Sequence, residues 1–265
     1  MSAAAGRGGG WAVVGVLWER DLAHFLREGS RVAAAIAQPI LFWLLLGSGF
    51  GSGLGTAGVP YLEYFFPGMV LLVVLFAAIF STISVIDDRQ QGFLRAVLAA
   101  PVPRAGVVLG KTLGSATLCF VQGAVVLLLA PLSGIPLHPA GLAAACLAVF
   151  LVSYGLSGLG IALAWVSGST ASYHAAMNLL LLPLWFLSGA LFPPGGVPVW
   201  LGWIMRVDPL TYGLTALRQA LYLPGASPLG HAASSGAAAW GVCAGFAVLG
   251  HLLAALAARR PSPPS

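Results

Sequence analysis

Long uninterrupted apolar runs, separated by short polar or Gly/Pro-rich breaks, set the pattern of this chain. They fall at about 32–50, 61–86, 112–132, 140–166, 175–191 and 236–258. Each approaches the roughly 20 residues a helix needs to cross a hydrocarbon layer about 30 Å thick. Membrane-spanning strands would alternate polar and apolar positions, and these runs do not. The pattern therefore predicts an all-α membrane protein with six transmembrane helices. The breaks are a Gly-rich turn at 47–58, SGIPLHP at 133–139, SGSTASYH at 167–174 and FPPGGVP at 192–198. Ahead of the first span, Val14, Trp18, Leu22 and Phe25 recur at helical spacing, while Arg20, His24, Arg27 and Arg31 form another face. This predicts an amphipathic helix over 11–30 lying in the membrane interface. The small, Gly-rich residues 1–10 read as disordered. Between the fifth and sixth spans the chain is interrupted by Arg206, Asp208, Pro209 and Arg218. Two short helices fit there better than a span, the second opened by Asp208 as N-cap and Pro209 in its first turn.

Composition agrees. Of the 265 residues 59% are hydrophobic and 7% charged, against about 25% charged in a soluble domain. The net charge of +5 is spread over several connections and reads as membrane orientation rather than nucleic-acid binding. With both termini in the cytoplasm, ten of the twelve Lys and Arg fall inside and only Arg206 and Arg218 outside. The three cysteines, Cys119, Cys146 and Cys243, sit within apolar runs without metal-ligand spacing and read as small buried residues. The organisation is a cytoplasmic segment with the amphipathic helix at 1–30, a transmembrane domain at 31–260 and a cytoplasmic tail at 261–265.

The one strongly charged interruption, 87–111, holds two of the seven acidic and four of the twelve basic residues. As a helix over 87–100, Asp88, Gln91 and Arg95 form a polar stripe, and Phe93, Val97 and Ala100 an apolar one. Pro101 and Pro103 end it. The expected result is a short helix lying flat in the cytoplasm between spans 2 and 3. Ala105–Thr112 loosely resembles a phosphate loop, but no strand precedes it and no acidic residue for a metal follows until Asp208. Lys111 therefore reads as a snorkelling anchor at the start of span 3. Gly155, Ser157, Gly158 and His251, with His174 and Asn178, suggest an alternative intramembrane serine protease of the rhomboid type, although their order is reversed. An ion-coupled carrier would need acidic residues at depth, and the expected spans have none. Small-residue helix packing accounts for the glycines and serines of span 4. A neutral, hydrogen-bonded ring accounts for His251, interhelical hydrogen bonds for Gln122 and Asn178, and a solvated helix-start charge for Glu63.

In order along this topology stand Phe66-Pro67-Gly68-Met69, then Asp88, Arg89, Gly92, Leu98 and Ala100-Pro101-Val102-Pro103-Arg104. Leu187-Ser188-Gly189, Phe192-Pro193, Asp208-Pro209-Leu210-Thr211-Tyr212 and Leu217-Arg218 follow. Together they resemble the permease subunits of ABC-2 type exporters, of the daunorubicin or multidrug and polysaccharide export kinds. The family often has Glu-Arg before the Gly, where this chain has Asp-Asp-Arg-Gln-Gln. The resemblance implies a non-catalytic transport subunit in a bacterial inner membrane. It implies a homodimer or heterodimer of permeases bound to two ABC ATPase subunits, with ATP and Mg held by those partners and no cofactor in this chain. It assigns ATPase coupling to the cytoplasmic helix bearing Asp87, Asp88, Arg89, Gln91, Gly92, Phe93, Arg95, Leu98 and Pro101. It assigns an external re-entrant hairpin to the region of Asp208, Pro209, Tyr212 and Arg218. The cargo would be amphiphilic, with Trp43, Phe65, Phe66, Trp185 and Phe186 as aromatics available to a path.

Overall fold

The computed structural model describes residues 5–27, 29–49, 59–191, 197–223, 225 and 236–260. The expected Gly-rich turn beyond Gly49, the Phe192-Pro193 pair and the tail at 261–265 lie outside those residues. The described part is helical: α1 (Ala5–Arg27), α2 (Gly29–Gly49), α3 (Tyr61–Thr82), α4 (Ser84–Gln90), α5 (Phe93–Ala99), α6 (Arg104–Leu127), α7 (Pro139–Val166), α8 (Thr170–Leu187), α9 (Val199–Val207), α10 (Pro209–Leu221) and α11 (Gly236–Ala257). Helix α1 already begins at Ala5, so residues 5–10 are helical rather than disordered.

Among the described residues, four helical runs are long and apolar enough to cross a membrane: Tyr61–Gln90, Arg104–Leu127, Pro139–Val166 and Gly236–Ala257. The other two expected spans are helices of more mixed character. The apolar part of α2 is Ile36–Gly47, and α8 has 18 residues with Pro183 inside. The first of the four runs joins α3 to α4 through Ile83, whose backbone is itself helical. Ser81 Oγ and Thr82 Oγ1 both donate to Ala78 O just before that joint, a local back-bonding that loosens a helical ladder.

Helix α3 is the centre of the bundle. It is buried along nearly its whole length and packs against α2, α6, α7 and α10. Around it, polar groups pair between helices instead of facing lipid. Ser115 of α6 donates to Ser157 of α7 at 3.0 Å and also pairs with Ser81 of α3. Thr82 pairs with Tyr173 of α8. The outward faces of α2, α6, α8 and α11 are apolar, with Leu45, Val125, Leu179 and Leu252 well exposed. That is the arrangement a lipid solvent selects.

Helices α7 and α11 meet through glycines. A Cβ on Gly158 would fall 2.4 Å from the Gly250 carbonyl carbon, and one on Gly250 would fall 2.4 Å from Gly155 O. The expected small-residue packing of span 4 is therefore present, and its partner is α11. Without an apolar driving force between helices in lipid, such close backbone approach maximises dispersion contacts. Gly250→Ala is expected to force the helices apart at a cost of about 1–3 kcal/mol. It would lower the thermal midpoint of the detergent-purified protein, whereas Gly241→Ala, which meets open space, would not.

Candidate functional site

The charged stretch is not one flat helix. Helix α4 continues span 2 to Gln90, and the chain then breaks at Gly92, whose φ of 77° is left-handed. Gly is the residue that adopts this conformation without a Cβ penalty. Helix α5 starts there and stops at Ala100, which is extended ahead of Pro101. Asp87, Asp88 and Arg89 thus belong to the end of the long helix, and Phe93 and Leu98 to the short one.

The side chains of Asp88 and Arg89 point inward, and both residues are only 3% exposed. Asp88 receives both terminal nitrogens of Arg20 from α1, at 3.0 and 2.6 Å, together with Lys111 Nζ from α6. Lys111 Nζ also donates to Asp21 Oδ1 at 2.7 Å. Two cations and two carboxylates thus close a neutral cluster joining α1, α4 and α6. Burial raises the Asp21 carboxyl pKa, an effect that Lys111 partly offsets. The bond to Asp88 raises that of Arg20. The guanidinium of Arg20 also sits 3.8 Å over the Phe93 ring, reaching across to α5. Arg89 donates to Trp165 O at 3.2 Å and to Ser167 O, holding the carbonyl end of α7. A cation there complements the helix dipole.

Two sequence expectations are corrected here. Lys111 does not snorkel: it is 1% exposed, in the second turn of α6. Helix α1 does not simply lie in the interface. Val14, Leu17 and Asp21 bury against Gly110 and Gly114 of α6, whose missing side chains admit the α1 backbone. The Gly-Lys-Thr of the phosphate-loop resemblance is thus helix-packing surface, with Thr112 bonded to Val108 O. Between Asp87 and Pro101 the exposed residues are Gln90, Gln91, Ala96, Ala99, Ala100 and Pro101, while Asp87, Gly92, Phe93, Val97 and Leu98 are half-buried. The backbone of Arg95 lies in α5; its side chain is outside the described residues.

At the other end of the bundle, Asp208 caps α10 as expected. Leu210 N donates to Oδ1 at 2.9 Å and Thr211 Oγ1 to Oδ2 at 3.2 Å, with Pro209 in the first turn. Tyr212 OH donates to Arg206 O at 2.6 Å and closes the corner between α9 and α10. The two helices differ in setting. Helix α9 leaves Val199, Trp200, Trp203 and Val207 exposed, whereas α10 is buried against α3, α7 and α11. Arg218 is accordingly not a solvated charge. It is 1% exposed, donates to Gly189 O at 3.1 Å and lies 4.4 Å over the Tyr64 ring. Tyr64 OH donates to the same Gly189 O at 2.8 Å. Glu63 is not merely solvated, since it accepts a hydrogen bond from Tyr222 OH.

The remaining candidates do not assemble. Ser157 bonds Ser115, and His251 Nδ1 bonds Tyr154 OH at 3.1 Å, so the protease reading has no nucleophile–base pair. Gln122 donates within its own helix, to Leu118 O, not across helices. Trp43, Phe65, Phe66 and Trp185 are packed into the core, and only Phe186 of that aromatic set is exposed. Among the described residues no group of His, Cys, Asp and Glu could hold a metal.

Long apolar helices joined by a buried charge cluster and coated with an apolar outer surface define a helical membrane protein. The sequence profile of the ABC-2 type transporter family matches residues 12–222, and the chain belongs to that family. It is 29% identical over 208 residues to a putative transport permease, ycf38, of Cyanophora paradoxa, covering 77% of this chain and 72% of the relative. It is 25% identical over 209 residues to nodulation protein J of Rhizobium leguminosarum bv. viciae, covering 77% and 80%. It is 22% identical over 208 residues to the daunorubicin resistance ABC transporter permease protein DrrB1 of Streptomyces coeruleorubidus, covering 78% and 73%.

Two predictions follow from these geometries. Lys111→Met leaves Asp21 and Asp88 buried side by side with Arg20 alone, at an expected cost of about 3–5 kcal/mol. Adding Asp21→Leu restores neutrality and should recover part of the lost thermal midpoint, which a double-mutant cycle measures. Burial lifts the Asp208 carboxyl from an ordinary 3.8 to about 6. Its folded pKa exceeds the unfolded one, so its contribution is full below about 4 and is lost as pH rises through about 6. Asp208→Asn, which keeps a capping oxygen, should remove that pH dependence from the unfolding midpoint.

Proposed function

We propose that this chain is the six-span permease of an ABC-2 exporter, working as a homodimer or heterodimer with two ABC ATPase subunits. Helices α2 and α8 serve as its first and fifth spans. Both termini lie in the cytoplasm of a bacterial cell, in keeping with the concentration of Arg and Lys at one set of ends. The chain holds no nucleotide, metal or cofactor of its own; ATP and Mg belong to the partner. Asp208, Pro209, Tyr212 and Arg218 organise α9 and α10 as an external re-entrant hairpin. At 9 and 13 residues these helices are too short to span.

The observation that carries this reading is the anchorage of α5. Its neighbours Gln91 and Pro101 are exposed, while Phe93 behind it touches Arg20, and Arg20 belongs to the cluster that binds α1, α4 and α6. A push on the exposed side reaches three long helices within one side-chain layer. In this reading Gln91, Ala96 and Pro101 meet the ATPase, whereas Asp88 and Arg89 couple by transmitting displacement and not by contact. Asp87, Gly92, Phe93, Arg95 and Leu98 shape the helix between them. The cargo is amphiphilic, either a drug-like molecule or a lipid-linked glycan; a relative named for daunorubicin resistance favours the first.

The test is co-purification from the native membrane followed by an ATPase assay in vesicles. The wild-type chain should retain an ABC ATPase. Ala96→Glu, which adds charge and bulk on the exposed side of α5, should weaken that association by about tenfold or more and leave the permease's thermal midpoint unchanged. Recovery of the chain without any ATPase, or full transport by the variant, would sink the proposal.

A further inference from the structure

Beyond the glycine crossing at Gly158 and Gly250, α7 and α11 leave a groove of about 580 Å³ that runs to the ends of both helices. That volume lies within the range of ligand pockets, about 300–1,000 Å³. Its walls are apolar, with Leu163, Val166, Leu253 and Leu256 among them, and Val166 and Leu256 are exposed. Its mouth is cationic. Helix α11 closes in a turn in which Arg259 N donates to Leu256 O and Arg260 N to Ala257 O, and both arginines are exposed at the rim. Among the described residues no acidic side chain lines the groove.

Helix C-termini ordinarily repel anions through their free carbonyls. Here backbone N–H groups and other cations engage several of those carbonyls. Arg89 takes Trp165 O and Ser167 O at the end of α7. Arg104 Nη1 takes Ala258 O at the end of α11, at 3.4 Å. Beyond their backbone bonds, the side chains of Arg259 and Arg260 are therefore not needed to cap α11. An apolar slot between helices with a basic mouth at the membrane boundary is the physical form of an anionic headgroup site.

We infer that this groove binds an anionic glycerophospholipid, with an acyl chain along α7 and α11 and the phosphate at Arg259 and Arg260. Charge complementarity selects the headgroup, and the apolar walls select a chain over a free anion. The lipid would wedge the open end of the pair whose other contact is the glycine crossing.

The test uses the full chain in detergent, titrated with palmitoyl-oleoyl phosphatidylglycerol or phosphatidylcholine and read by native mass spectrometry. Phosphatidylglycerol should be retained in preference. Arg259→Gln with Arg260→Gln should reduce its retention roughly tenfold or more, at about 1 kcal/mol per lost cation, with phosphatidylcholine unaffected. Both arginines are exposed, so folding should not suffer. Ala162→Phe, which fills the groove, should displace the lipid while leaving the arginines in place. Equal retention of the two lipids, or undiminished phosphatidylglycerol binding by the double variant, would overturn the inference. So would efficient competition by glycerol phosphate alone, or a dimer that dissociates on Ala162→Phe without any lipid preference. None of these readouts involves transport or an ATPase, so failure here leaves the proposed function standing.

Discussion

The structure depends on one neutral cluster of four charges in a chain that otherwise avoids charge. Asp88 and Lys111 are buried in membrane-length helices, where an unpaired ion would be prohibitive. Arg20 and Asp21 bring the compensating charges from α1. Such a cluster adds little net stability over well-packed apolar residues, because desolvation opposes the Coulombic gain. What it supplies is register. Helix α1 reaches Lys111 only where Gly110 and Gly114 let its backbone approach α6, and a slip along the helix would leave two carboxylates and two cations unmatched.

The opposite end solves the same problem with backbone carbonyls. Gly189 turns the chain after α8 with a φ of 84°. Its carbonyl receives Arg218 and Tyr64, and Tyr61 OH donates to Leu191 O at 2.9 Å. The start of α3 is thereby tied to the segment after α8 and to α10. One end is locked by ions between helices, the other by aromatic and guanidinium donors on an irregular turn. Irregular backbone buried away from water has to be satisfied inside the protein, and these donors satisfy it.

Much of this was legible along the chain. Run lengths located the long helices, Asp208-Pro209 announced its own cap, and the Gly and Ser of α7 signalled close packing. The errors share a cause. Lys111 read as an anchor and Asp88 as surface because the sequence shows a charge and its neighbours, not a partner 90 or 68 positions away. The only available signal was arithmetic. Asp21, Asp88 and Lys111 flank apolar runs in a chain with seven acidic residues, and matched opposite charges at span ends invite pairing. The break between α4 and α5 was likewise present in Gly92, but helical periodicity carried across it. The burial of Arg218 was hidden because a basic residue in a polar-interrupted segment resembles a loop charge, and only α10 packing among α3, α7 and α11 reveals it.

These constraints bear on how α5 can move the helices it touches. Its N-terminal side runs by backbone into α4 and α3, and its C-terminal side through Pro101–Pro103 into α6. If those helices were independent, a push on α5 would tilt them separately. They are not independent. Asp88 and Lys111 join α4 to α6, Arg20 and Asp21 add α1, and Arg89 adds the end of α7. Separate tilting would have to strip partners from buried ions, at several kcal/mol each. Displacing α1, α3, α4, α6 and α7 together strips none. The cheaper motion is therefore a shift of this clamped group as one body. Helices α2 and α8 are tied to this body by neutral hydrogen bonds, such as Trp43 Nε1 to Leu62 O and Trp185 Nε1 to Gly68 O, which cost less to exchange than the partners of a buried ion.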